Sequence, residues 1–254
     1  MNVKRKKRGF SLPETIVVMG VIGLLAGIGV PAVKGVLASF ESSDRVRDVI
    51  GAALSSGRAI AIKEQKYAGV RFQRDLAGDQ YMIFIVHDQA ATDLAYGFRS
   101  VIGRNPVRLP RGGGVMDLRL RTKTGSGEAQ YPDDEPIASD GQIDSDEELR
   151  DTTTFSVVFS PSGKLVTHEV RVRGTGGGVF GDSTVVDAGN AMFYHDYYPA
   201  MGLGQEPSRN RFVVFNRSKF SDQPFTSRWT GYLGGLQTAK EVYINPYNGQ
   251  LISR

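Results

Sequence analysis

Between Thr15 and Val33 the chain carries no charged residue, an apolar run of 19 positions. As a helix this run would extend about 28 Å at roughly 1.5 Å per residue, close to the ~30 Å of a bilayer's hydrocarbon core. Beyond it the spacing changes. Val33, Val36, Leu37 and Phe40 recur at three-four intervals, and Val46, Val49, Ile50, Ala53 and Leu54 repeat the pattern. Asp44, Arg45, Arg47 and Asp48 fall on other faces. This is the signature of an amphipathic helix. The pattern predicts one helix from about Leu12 to about Gln65, bent near Pro31, where a proline removes a helix hydrogen bond and clashes with the preceding turn. Its second half should lay an apolar stripe on a folded domain.

After Tyr67 the period becomes that of strands. Gly69–Gln73 and Gln80–His87 read as strands around a turn at Ala77-Gly78-Asp79. Val115–Arg121 alternates. So do Thr154–Phe159 and Leu165–Arg173, joined by the turn Ser160-Pro-Ser-Gly. Val185-Val186, Met192–His195, Arg211–Phe215, Glu241–Ile244 and Gln250–Ser253 are further strand candidates, the last two flanking Asn245-Pro-Tyr-Asn-Gly. Residues 122–153 are polar, acidic and rich in Gly, Asp and Pro, which predicts a long exposed loop. The expected class is α+β: a long N-terminal helix, membrane-spanning in its first half and amphipathic in its second, packed on a mainly antiparallel β domain.

The ends of the apolar run carry the chemistry. Five cations, Lys4-Arg5-Lys6-Lys7-Arg8, precede it. They predict a short cytoplasmic N-terminus with the remainder crossing the membrane. An ordinary secretory signal has a shorter apolar core followed by a small-x-small cleavage site. Cleavage ahead of the run, at Gly9-Phe10, suits these residues better. Glu14 stands alone at the lip. Either it is a solvated acid in the headgroup region, favoured by the helix dipole, or it is neutralised inside an assembly by a partner such as an α-amino group.

Gly9-Phe10-Ser11-Leu12-Pro13-Glu14-Thr15-Ile16-Val17-Val18 resembles the class III signal of type IV pilins and type II secretion pseudopilins. The resemblance implies that a membrane prepilin peptidase cuts after Gly9 and N-methylates Phe10. It implies that Glu14 neutralises a neighbouring subunit's N-terminus and that Pro31 marks the kink many family members carry. Three looser matches are similar to the H-type minor pseudopilins: Leu54–Tyr67, Phe159-Ser-Pro-Ser-Gly-Lys, and Val242–Leu251. The chain is longer than that group, and its acidic segment departs from it.

The organisation so implied is a cleaved basic leader (1–9), a transmembrane and polymerisation helix (10–39) and a periplasmic pilin-like domain (40–254). That domain divides into an amphipathic helix (40–65) and a β-rich part (67–254) carrying the acidic loop (122–153). The implied protein is not an enzyme. It is a minor pseudopilin of a type II secretion system, assembling into the pseudopilus tip that helps export folded proteins. The alternatives are a minor type IV pilin and a DNA-binding uptake pilin. The implied partners are the prepilin peptidase, other pseudopilins or pilins, the inner-membrane assembly platform and membrane lipid. The location is the inner membrane, single-pass, with the C-terminal domain periplasmic.

Composition changes this picture little. The 254 residues include no cysteine, which excludes disulfides and thiolate metal sites. The net charge of +4 is smaller than the leader's five cations, so side chains after Gly9 sum to about −1. Basicity is therefore no sign of nucleic-acid binding. Other constellations are weaker. Asp140, Asp144 and Glu147 match the second half of an EF-hand loop, but Pro136 and Ala138 occupy ligand positions in the first half. A solvated acidic loop without cofactor is expected, with calcium as the rival. Gly176-Gly-Gly-Val-Phe-Gly has dinucleotide spacing, yet Asp182-Ser-Thr-Val-Val favours a strand where a helix is required. Gly112-Gly-Gly reads as a loop. His87, His168 and His195 are expected in strands as structural residues. From Arg209 to Arg254, seven cations interleave with Phe212, Phe215, Phe220, Phe225, Trp229 and Tyr232. Such a mixture can bind single-stranded nucleic acid, but alternating aromatics in strands usually face inward, so nucleic acid is not the expected partner.

Overall fold

In the computed structural model the described residues are 17–19, 45–74, 79–110, 112–122, 133–137, 143, 149, 151–172, 206–222 and 240–253. The chain divides into two units, Met1–Glu41 and Ser42–Arg254. In the first unit residues 17–19 are helical. Gly9, Phe10, Glu14 and Pro31 lie outside the described residues.

The second unit opens with helix α1, residues 45–64. Val46, Ile50, Ala53, Leu54, Ile60 and Ala61 are buried along one face, as the three-four spacing requires. Gln65 ends the helix in the left-handed region at φ 53°. The chain then enters β1, Ala68–Arg74, which pairs antiparallel with β2, Gln80–His87. A short α2, Gln89–Thr92, leads to β3, Gly97–Ser100, and β4, Val107–Arg108. Next come β5, Gly113–Met116, β6, Arg119–Thr122, and β7, Asp133–Pro136. β8, Phe155–Phe159, β9, Leu165–Val166, and β10, Glu169–Val172, follow. The last described elements are β11, Glu206–Pro207, β12, Arg211–Asn216, α3, Arg217–Ser221, β13, Lys240–Ile244, and β14, Leu251–Ser253.

Among the described residues these strands make three sheets. The largest runs β11-β10-β3-β2-β1-β8-β9, with β4 added on β2. Every pair in it is antiparallel except β10–β3. The second runs β14-β13-β12-β5 and is antiparallel throughout. The third is the pair β6–β7.

Helix α1 packs on both larger sheets. Val70, Phe72, Met82, Phe84, Val86 and Val157 from the first, and Val115, Phe212, Val214, Val242 and Ile244 from the second, share one apolar cluster with it. Each such buried side chain contributes about 1.5–3 kcal/mol relative to exposure. Close approach is set by glycine. A Cβ on Gly113 would overlap the Val46 side chain, and one on Gly57 would sit 3.1 Å from Val70 Cγ2. This explains a difference from the sequence reading. Gly113 and Gly114 are not loop but the start of β5, and the helix needs the missing side chain.

The largest sheet curls on itself. Only Thr167 and His168 separate β9 from β10, yet β9 pairs with β8 at one margin and β10 with β3 at the other. The sheet must bend until these margins meet. Inside the bend lie Ile83, Ile85, Phe98, Val158, Val170 and Val172. The strand expected over Leu165–Arg173 is therefore two strands with different partners. The strand expected over Val115–Arg121 is likewise broken, at Asp117. This buried carboxylate accepts from Leu118 N at 2.7 Å and pairs with Arg209. An aspartate on the core-facing side of a strand needs such partners, and the chain turns to reach them.

The acidic segment 122–153 is not wholly an exposed loop. It supplies β7, and its Ile137, Ile143 and Leu149 are buried with Met116, Val213, Phe215 and Phe220 in a second cluster. Isolated hydrophobes in a polar stretch carry no periodicity, so their burial was not legible locally.

Candidate functional site

The first candidate is the N-terminal segment. Val17, Val18 and Met19 form consecutive helical positions and are 64%, 49% and 68% exposed. An α-helical stretch that is apolar all round has no soluble face, and demands a lipid or helix partner. No helix among the described residues is long and apolar enough to cross a membrane. Apart from 17–19, the predicted span lies outside those residues.

The second candidate, the basic aromatic stretch, is occupied by folding. Phe212 lies against Phe72 and Phe155, with ring centroids 5.6 and 5.7 Å away. Phe215 and Phe220 meet at 5.0 Å in the second cluster. All three are buried. Strand alternation sends Phe212 toward helix α1 and Phe215 to the opposite face, so both faces of β12 are covered. The described arginines of the stretch are engaged too. Arg209 pairs with buried Asp117. Arg211 reaches Glu241 at 3.1 Å, and its hydrogen bond with Tyr243 raises its pKa further above the ordinary guanidinium value. Arg217 reaches Asp79 at 3.3 Å, and Arg108 contacts the same carboxylate. The Arg108 hydrogen bond holds the Asp79 carboxyl below its usual range, against a smaller opposing effect of burial. Phe225, Arg228, Trp229, Tyr232 and Arg254 lie outside the described residues.

The histidines come together in part. His87 ends β2, whereas His168 sits in the link between β9 and β10, not in a strand. Their ring centroids are 5.9 Å apart, and His168 lies 4.3 Å from Tyr67. Burial, then His168 and Lys66, hold His87 below the ordinary imidazole value, with Asp88 opposing. Asp88 makes its own bonds. It accepts from Ala91 N at the start of α2 and pairs with Arg99 at 2.8 Å. The Arg99 hydrogen bond lowers its carboxyl. His195 and Gly176–Gly181 lie outside the described residues. So do Asp140, Asp144 and Glu147. Among the described residues no three His, Asp or Glu side chains gather as metal ligands.

The sequence reading missed one cluster altogether. Arg71, fully buried, donates from Nη1 to Glu206 Oε1 at 2.8 Å, and Ser156 Oγ donates to the same oxygen at 3.1 Å. Gln73 Oε1 lies 3.4 Å from Arg71 Nε. Arg71 and Gln73 alternate with Val70 and Phe72, so they lie on the other face of β1. Curling of the sheet encloses that face, and no local signal marks it.

Comparison with known proteins bears on the N-terminus. Residues 4–30 match the family model of the prokaryotic N-terminal methylation motif. This motif is the class III prepilin signal, and it supports a type IV pilin-like or pseudopilin protein. Such a signal implies processing by a prepilin peptidase, assembly with other pilins and membrane anchoring through the N-terminus. No curated protein and no solved structure matches the chain.

Proposed function

We propose that this chain is a non-enzymatic minor pseudopilin, H-like in type, of a type II secretion system. Its mature N-terminal helix is a polymerisation element beginning at Phe10. Its periplasmic β domain supplies contacts to neighbouring subunits. The observation that carries this reading is the order of parts: a prepilin signal at 4–30, then an amphipathic helix docked on a β domain. Two further features support the H-like type. The small-residue helix ends at a left-handed Gln65 and feeds β1 directly. The hairpins β8–β9 and β13–β14 form at the two turn motifs. The engaged arginines and buried phenylalanines of β12 weigh against an uptake pilin that binds DNA.

Processing and company test the proposal. Co-expression with a prepilin peptidase should yield a chain starting at methylated Phe10, and Gly9→Val should block it because a branched side chain must enter the cleavage pocket. An intact Met1 beside an active peptidase would refute the prepilin assignment. The processed chain should co-purify with secretion pseudopilins. Exclusive capture by pilus subunits would replace the subtype with a minor type IV pilin.

A further inference from the structure

The seam of the curled sheet is built around two imidazoles. The link Thr167–His168 joins its margins, and Ser208 fastens it, accepting from His168 N at 3.0 Å and donating to Val166 O at 2.8 Å. The His168 ring lies 4.3 Å from Tyr67, 5.5 Å from Phe98, and 5.9 Å from both Tyr96 and His87. His87 in turn lies 5.3 Å from Phe98 and 6.4 Å from Tyr67. Both imidazoles are half-buried. His168 Nδ1 lies 2.5 Å from Glu169 O, a carbonyl that only accepts, so Nδ1 carries the hydrogen of the neutral ring.

We propose that His87 and His168 form an acid-sensitive latch at this seam. Neutral, the two rings and their aromatic neighbours hold the β9–β10 link against the ends of β2 and β3. Doubly protonated, they place two like charges inside one aromatic nest, and the link is released. Among the described residues, the titratable and charged groups near the pair are these. Lys66 and Tyr67 precede β1, and Tyr96 stands before β3. Asp88 follows β2 and is tied to Arg99 at 2.8 Å. Glu169 adjoins His168 at the start of β10. Asp88 is thus the carboxylate whose charge favours protonation of His87, while Lys66 opposes it.

The sign follows from linkage. The folded protein holds His87 below its ordinary value. The opened form therefore binds the proton more tightly, and latch stability falls as pH drops below about 6.5. Tyr96 adds to the case. It is a half-exposed aromatic held at φ 57°, a left-handed conformation that costs a bulky residue free energy. Its carbonyl accepts from Arg171 N at 3.0 Å, which ties this strained residue to the seam.

Hydrogen exchange of the full chain in detergent micelles tests the latch, with rates corrected for the intrinsic effect of pH. The reporters are Arg171 N–H, donating to Tyr96 O, and Ser208 N–H, donating to His168 O at 2.9 Å. Ile244 N–H, donating to Asn210 O at 3.0 Å in the second sheet, is the reference. Between about pH 7.5 and about pH 5.0, protection at the reporters should fall severalfold, since the opened form binds the His87 proton more tightly. Protection at Ile244 should hold. His87→Phe keeps a ring without a charge and should abolish the fall. Imidazole titration of the wild-type chain by NMR gives a check that needs no variant: His87 should take up its proton below the ordinary imidazole value. Equal loss of protection in wild type and His87→Phe, no loss in either, or a His87 titration at the ordinary imidazole value would overturn the proposal.

Discussion

Glu206→Ala isolates the ion pair enclosed by the curled sheet. Arg71 and Glu206 are 0% and 1% exposed, with nitrogen and oxygen 2.8 Å apart. Removing the carboxylate takes from a buried guanidinium the charged partner 2.8 Å away, while Ser156 Oγ stays 3.3 Å from its Nη1. Breaking a buried pair from one side costs about 3–5 kcal/mol. Ser156 also loses the oxygen to which it donates at 3.1 Å. Whole domains are stable by about 5–15 kcal/mol, so the loss is a large share of the total. For a domain near 200 residues, each kcal/mol shifts the midpoint by about 2–4 °C, which sets a fall of about 6–20 °C. Urea unfolding should show the same loss as a lower midpoint at unchanged slope. The companion variant, Arg71→Met with Glu206→Leu, removes both charges. It should recover most of the loss, because desolvation offsets most of a buried pair's attraction. A cost below about 1 kcal/mol for Glu206→Ala, or a double variant no better than the single one, would refute the reasoning.

Three further outcomes are expected. Gly113→Ala forces a methyl into the Val46 side chain and should cost about 1–3 kcal/mol, whereas a Cβ at Gly51 meets nothing within 4 Å. Gly51→Ala should therefore stabilise helix α1 by roughly 0.5–1 kcal/mol, and thermal melts of the two variants should move in opposite directions. Asp79 and Asp88 have carboxyl pKa values lowered by Arg108 and Arg99. Their contribution is complete above the unfolded value of about 3.9 and disappears as pH falls through the lower folded values. Asp88→Asn should flatten the acid limb of the melting curve, and an unchanged limb would deny the Arg99 pair any part in it. Glu14→Ala should leave membrane insertion intact, since it removes a carboxylate that is costly near lipid, yet weaken co-purification with other pilin-like subunits. Undiminished co-purification would make Glu14 merely interfacial.

Elements with local causes are legible in the order of residues alone. The three-four spacing of Val46, Ile50, Ala53 and Leu54 specifies which helix face is buried, because side-chain direction follows from the helical period. Ser160-Pro-Ser-Gly and Asn245-Pro-Tyr-Asn-Gly make hairpins because Gly163 and Gly249 adopt positive φ at 78° and 73°. The prepilin signal is equally local: charge, glycine, acid and apolar length in a single order. Tertiary structure alone decided the rest. Residues 165–172 alternate like one strand, and only the meeting of two sheet margins divides them at His168. No local signal marks Arg71 within its strand, and only the curl encloses it with Glu206, 135 positions away. Ile143 and Leu149 read as loop until β12 offers them an apolar face. Gly113 reads as a turn until helix α1 rests on it. In each case the deciding contact joins residues far apart in the chain, and a pattern confined to neighbouring positions carries no record of it.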